Sequence, residues 1–142
     1  MEQAQVLTFL NNKDRDLLLQ FCGYSTTEPL HSFGPAVRPH YIIHFILNGK
    51  GIFQIREKTY HLETGQGFLI EPDELTFYQS DAQEPWEYLW IGFNGKMIPE
   101  FLKQIGLSSA HPIFHCDKKK ELYWLVNNML VHSKSNFSSD LR

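Results

Sequence analysis

Three large aromatic residues recur at every second position in Trp86-Glu87-Tyr88-Leu89-Trp90. On an extended chain that spacing puts Trp86, Tyr88 and Trp90 on one face and Glu87, Leu89 and Ile91 on the other. Tryptophan faces edged by phenolic hydroxyls suit a sugar, whose C–H faces lie on rings while its hydroxyls meet polar tips. Plain core packing accounts for the same spacing equally well. Arg38 stands just ahead of an apolar run and carries a rigid fork of donors suited to vicinal hydroxyls or a carboxylate, although a solvated arginine is the simpler reading. His40 and His44 are four apart, so on a strand they share a face within reach of one metal ion. A metal-binding barrel also needs a third His or a Glu, and residues 75–79 offer only Thr76, Phe77, Tyr78 and Gln79 beyond Leu75. His111 and His115 flank a proline loop beside Cys116, where hydrogen-bonded loop histidines are the ordinary case. No metal, cofactor or catalytic residue is therefore expected. Gly-x-Ser-x-Gly is absent, no Cys–His nucleophile setting stands out, and the carboxylates Glu57, Glu63, Glu71, Asp73, Glu74, Asp81 and Glu84 fall in turn-like stretches where they are solvated. Gly49-Lys50-Gly51 and Gly65-Gln66-Gly67 lack the third glycine of a phosphate loop and read as turns.

The elements that must hold these residues are short. Residues 11–19 predict a helix, with Asn11 or Asn12 as cap and Leu17, Leu18 and Leu19 following. Residues 23–39 predict a loop, because Gly23, Pro29, Gly34, Pro35 and Pro39 interrupt them. Residues 41–47 are β-branched and aromatic and predict a strand buried on both faces. A turn at residues 48–51 then leads to a returning strand at 52–56. A further turn at 57–59, an edge strand at 60–62, and strands at 68–70, 75–79 and 86–93 complete an all-β sandwich or barrel. After Asn94-Gly95 the period becomes helical. Phe101, Leu102 and Ile105 predict one apolar stripe, with Pro99 in the first turn and Gly106 just past the end. Residues 112–116 are extended. Asp117 can cap a second helix whose apolar face is Leu122, Leu125, Val126, Met129 and Leu130. Asp140-Leu141-Arg142 reads as a helix start cut short, so the chain is expected to be part of something longer.

Composition narrows the function. The chain has 142 residues, of which 20 are aromatic (11 Phe, 6 Tyr, 3 Trp), too many for a disordered segment and enough for a pocket with flat walls. Its net charge of −3 argues against this segment binding nucleic acid by itself. No apolar run approaches the length of a membrane span, and Met1-Glu2-Gln3-Ala4 does not begin a secretory signal. Cys22 and Cys116 then read as reduced thiols of a cytoplasmic protein.

Taken in order, residues 38–51, 65–74 and 85–95 resemble the N-terminal sensor domain of AraC-type transcriptional regulators, and most closely the sugar-utilisation regulators of Gram-positive bacteria. The resemblance implies a mainly β, cupin-like barrel that holds a small effector, usually a sugar, followed by α-helices of a dimerisation region. Residues 1–95 would form an N-terminal arm and the barrel. Residues 96–142 would form the helical dimerisation region, ending before a helix-turn-helix domain that binds DNA. Trp90 falls on the family's sugar-stacking tryptophan and Tyr78 on a pocket tyrosine. Tyr88 replaces a polar inward residue, Ser25 matches a hydroxyl position on the first strand, and Arg38 lies near a pocket arginine. With His44, these are the expected effector-binding residues. Leu122, Leu125, Val126 and Met129 fall where the dimer helix would begin, so a homodimer is expected. The rival reading is a metal-dependent cupin enzyme using His40, His44 and His61. Thr76 stands where the family's metal-binding relatives carry a His, which weighs against it.

Overall fold

The computed structural model describes residues 3–8 and 18–115, with side chains from Gln20 onward. Its strands are β1 (Gln3–Thr8), β2 (Leu18–Thr26), β3 (Ser32–Val37), β4 (Tyr41–Asn48), β5 (Lys50–Ile55), β6 (Lys58–Glu63), β7 (Gln66–Ile70), β8 (Leu75–Ser80), β9 (Glu87–Asn94) and β10 (Ile113–His115). One helix, α1 (Ile98–Ile105), separates β9 from β10. The strands form two antiparallel sheets, one in the order β1-β2-β9-β4-β7-β10 and the other β3-β8-β5-β6.

Alternation along each strand builds the space between the sheets. β4 turns Ile42, His44 and Ile46 inward and Ile43, Phe45 and Leu47 outward. Ile42 and Ile46 meet Phe53, Phe68, Tyr78, Trp86 and Tyr88 in one buried cluster. The outer face of the larger sheet is also covered: Leu69 and Phe93 pack with Ile98 and Leu102 of α1 and with Leu107. That second layer is why β4 is apolar on both faces, as its sequence predicts.

Several local expectations change. Leu18 and Leu19 belong to β2, not to a helix, because β9 supplies a ladder that overrides their helical spacing. The stretch at 23–39 is not one loop. β2 runs to Thr26, and β3 pairs with β8 across an irregularity between Phe33 and Ala36 that absorbs Gly34 and Pro35. Strands β4 and β5 do not form a hairpin. β4 pairs with β7 and β9, whereas β5 pairs with β6 and β8, so the Asn48-Gly49 corner carries the chain from one sheet to the other. Gly49 has φ +82°, and a Cβ there would lie 2.5 Å from the Pro85 carbonyl oxygen, so this corner requires glycine. The β5–β6 turn is Arg56-Glu57, with φ of 51° and 66°, one residue earlier than predicted. On α1 the buried positions are Ile98 and Leu102, while Phe101 and Ile105 are exposed, so the predicted stripe is rotated. Gly106 caps the helix in the left-handed conformation, as expected. β10 pairs with β7 and ties residues 113–115 to the larger sheet. The proposed dimer positions Leu122, Leu125, Val126 and Met129, and the second cysteine, Cys116, lie outside the described residues.

Candidate functional site

The inward face of β9 runs from a sealed end to an open one. Trp86, just before the strand, is 1% exposed, Tyr88 is 4% exposed, and Trp90 is only partly buried. At the sealed end Trp86 is pinned by its own backbone. Its N–H donates to Ser80 Oγ (2.9 Å) and its carbonyl accepts from Thr27 Oγ1 (2.7 Å), while the Thr27 and Ser80 hydroxyls lie 2.8 Å apart. Three elements are thereby tied together where the barrel closes. At the other end Gly92 takes the place of a further side chain, and the ring of Phe21, its partner in β2, lies across it.

Between these ends is a cavity of about 340 Å3, within the range of small-molecule sites. The larger sheet contributes Phe21, Ile42, His44, Tyr88 and Trp90, and the smaller contributes Phe33 and Tyr78. His31 and Arg38 stand at either end of β3 and complete the lining. The aromatic rings form a continuous belt. Phe33 stacks on Tyr78 (5.6 Å, 18°), Tyr78 lies 4.7 Å from the His44 ring, and Tyr88 lies 5.5 Å from Trp90. The Arg38 guanidinium sits 4.6 Å above the Phe33 ring, a cation–π contact that holds the charge at the mouth.

His44 is the buried polar centre of this belt. It is 2% exposed and sandwiched between Phe68 (4.6 Å, 8°) and Tyr88 (5.2 Å, 18°). Its Nδ1 has no hydrogen-bond partner. Burial, and secondarily the charge of Arg38, push its pKa down to about 3, so the imidazole is neutral at physiological pH. His40 is shifted in the same direction by the same two causes and sets its ring edge against Phe21 at 5.5 Å. Cys22 is fully buried, and burial raises its thiol to about 11, which keeps it protonated.

Of the residues singled out in the sequence, Arg38, His44, Tyr78, Tyr88 and Trp90 converge on the cavity. Ser25 does not border it; it is fully buried in β2, in register with Tyr88. His61 is exposed on β6, the edge strand of the smaller sheet, and does not join His40 and His44. Among the described residues no three His, Cys, Asp or Glu side chains gather as a metal site would require. Sequence reasoning missed Phe21, Phe33 and Ile42. Ile42 was legible from its even spacing to His44. Phe21 and Phe33 fell at the edge of, or inside, the stretch broken by Gly and Pro, where no periodicity marks an inward face.

The AraC-like ligand-binding domain model matches residues 18–141. The Msm operon regulatory protein of Streptococcus mutans is 45% identical over 101 residues, covering 71% of this chain and 35% of that protein. The lactose operon transcription activator of Staphylococcus xylosus is 30% identical over 128 residues, covering 89% of this chain and 46% of that protein. The raffinose operon transcriptional regulatory protein of Pediococcus pentosaceus is 36% identical over 145 residues, covering 87% of this chain and 50% of that protein. This chain thus spans between about a third and a half of the length of these relatives. Among solved structures, the protein YhaK from Escherichia coli superposes with a TM-score of 0.61 at 12% identity, over 81% of this chain and 52% of that one. A cupin 2 conserved barrel protein from Salinispora arenicola gives 0.53 at 14% identity, over 72% and 84%. The second likeness shows the cupin barrel fold, and no helix among the described residues is long and apolar enough to cross a membrane. With a family model matched across most of its length and three operon regulators as relatives, the chain belongs to the AraC-like ligand-binding domain family.

Proposed function

We propose that this domain senses a mono- or oligosaccharide in the cavity between the two sheets and reports it to a DNA-binding part of a longer regulator. The observation that carries this reading is the convergence of Trp90, Tyr78, Tyr88 and His44 around about 340 Å3, with Arg38 at the mouth. Trp90 would stack on a sugar ring, and the polar tips and Arg38 would meet its hydroxyls. The relatives' names support a sugar as the ligand class, since two of them regulate lactose and raffinose operons. Residues 96–142 would pair two copies through Leu122, Leu125, Val126 and Met129, and DNA would be bound by a helix-turn-helix domain elsewhere in the full regulator. On this reading the domain is a binding module of the cytoplasm and not an enzyme. The sugar shifts the regulator only by the difference in its affinity for the two states of the dimer.

Titration calorimetry of the chain with galactose, glucose, lactose and raffinose tests the reading. Saturable heat with at least one sugar, weakened tenfold or more by Trp90→Ala, is expected. No heat from any sugar, or a Trp90→Ala variant that binds like the parent, would defeat it.

A further inference from the structure

We infer that His44 is the residue that selects a ligand hydroxyl at the cavity floor, acting as a neutral hydrogen-bonding group whose partner comes from the ligand and not from the protein. The inference rests on the sugar-binding reading and makes it specific.

Three facts of geometry carry it. First, the side chain borders the cavity and is almost wholly buried. Second, it lies flat between Phe68 and Tyr88, which fixes the plane of its ring. Third, Nδ1 is buried with no partner. Buried polar groups are otherwise paired in folded proteins, because an unmet donor or acceptor forfeits its hydration without return. A site that keeps an imidazole here, where a phenyl ring would fill the same slot without that loss, holds a hydrogen-bonding group in reserve.

The chemistry of the partner follows. A neutral imidazole carries one proton, and no protein group at Nδ1 dictates which nitrogen holds it. A hydroxyl can donate to a bare nitrogen or accept from an N–H, so it serves either tautomer. A carboxylate or phosphate only accepts. It would also carry its charge into a slot walled by Phe68, Ile42 and Tyr88, at a cost that one hydrogen bond does not return. The positive charge available to an anion, Arg38, is held at the mouth over Phe33. The floor therefore takes a neutral hydroxyl.

Two measurements on His44→Phe test this. Without ligand, its melting temperature is expected to rise by a few degrees over the parent, since the unpaired nitrogen is gone and the stack is kept. With sugar, its affinity is expected to fall about tenfold or more, the worth of one buried hydrogen bond. Monodeoxy derivatives of the sugar that binds locate the partner. One of them should lose about as much affinity for the parent as His44→Phe loses for the intact sugar, and His44→Phe should not distinguish that derivative from the intact sugar. His44→Asn, which keeps a polar end, should recover part of the affinity, and it carries the test if His44→Phe does not fold. If His44→Phe binds within twofold of the parent, or still discriminates every deoxy derivative as the parent does, His44 does not select a hydroxyl, although sugar binding stands. If the parent binds no sugar at all, the sugar-binding reading falls and takes this inference with it.

Discussion

The two ends of the barrel use similar residues in opposite ways. At the closed end Trp86 is sealed, and both polar atoms of its peptide are paired with Thr27 and Ser80. Around the mouth the ring surfaces are only partly covered, as at Trp90, and Phe33 is 40% exposed. The polar bookkeeping differs as well. Gln20 Oε1, His40 Nδ1 and His44 Nδ1 are buried without partners among the described residues, and all three belong to β2, to β4 or to the residue before it. The contrast separates two uses of one aromatic-rich composition. Rings whose surroundings are complete hold the fold together, and rings whose surroundings are incomplete wait for something else.

The most severe test of that contrast is a pair of variants. Trp86→Ala is expected to cost about 3–5 kcal/mol by denaturant unfolding, while Trp90→Ala costs much less stability and abolishes sugar binding. Equal losses of stability would erase the distinction. Next in size is acid sensitivity. The His44 imidazole titrates near 6.5 in the unfolded chain and near about 3 when folded, so between those values the unfolded state takes up a proton that the folded state refuses. Stability is therefore full above pH 6.5, falls as the pH drops towards 3, and levels off below. The contribution is on the order of a few kcal/mol, and His44→Phe should flatten that part of the pH–stability curve. Ser80→Ala comes third. It breaks the link between Thr27 and the Trp86 N–H, and should cost about 1–3 kcal/mol, with sugar affinity unchanged because the network lies at the closed end. Gly92→Ala sharpens the comparison from the other side. A methyl there strikes the Phe21 ring, which must swing, so a modest loss of stability should come with a change in sugar affinity. The smallest effect belongs to the exposed Lys50–Glu84 pair, where Lys50→Ala should be nearly silent in both assays.

Much of this arrangement was legible before the structure. The alternation Trp86-Tyr88-Trp90 and the even spacing of Ile42, His44 and Ile46 set the inward faces, because strand period is a property of the backbone and survives any tertiary context. Residues 18–37 were not legible. Leu18 and Leu19 look helical in isolation and become strand only because β9, some seventy residues later, offers a ladder. Phe33 reaches the cavity from a strand interrupted by Gly34 and Pro35, whose local signal is that of a loop. The unpaired state of His44 Nδ1 was also out of reach, since it depends on which groups β7, β8 and β9 bring near. Spacing likewise put Trp86 and Trp90 on one face without showing that one closes the barrel and the other opens it.

One feature of the topology bears on how the domain comes into being. β9 is hydrogen-bonded between β2 and β4, and the corner at Gly49 prevents β4 from pairing with its immediate successor. A ribosome that has not yet released Asn94 therefore holds β2 and β4 without the strand that joins them, and with no cavity to fill. Pairing at such separations in sequence is slow, in the millisecond-to-second range usual for β-rich domains. On the proposed function, a sugar present during synthesis would act only on a chain already complete through β9, where it would retain a finished barrel by slowing its opening and leave the rate of assembly unchanged.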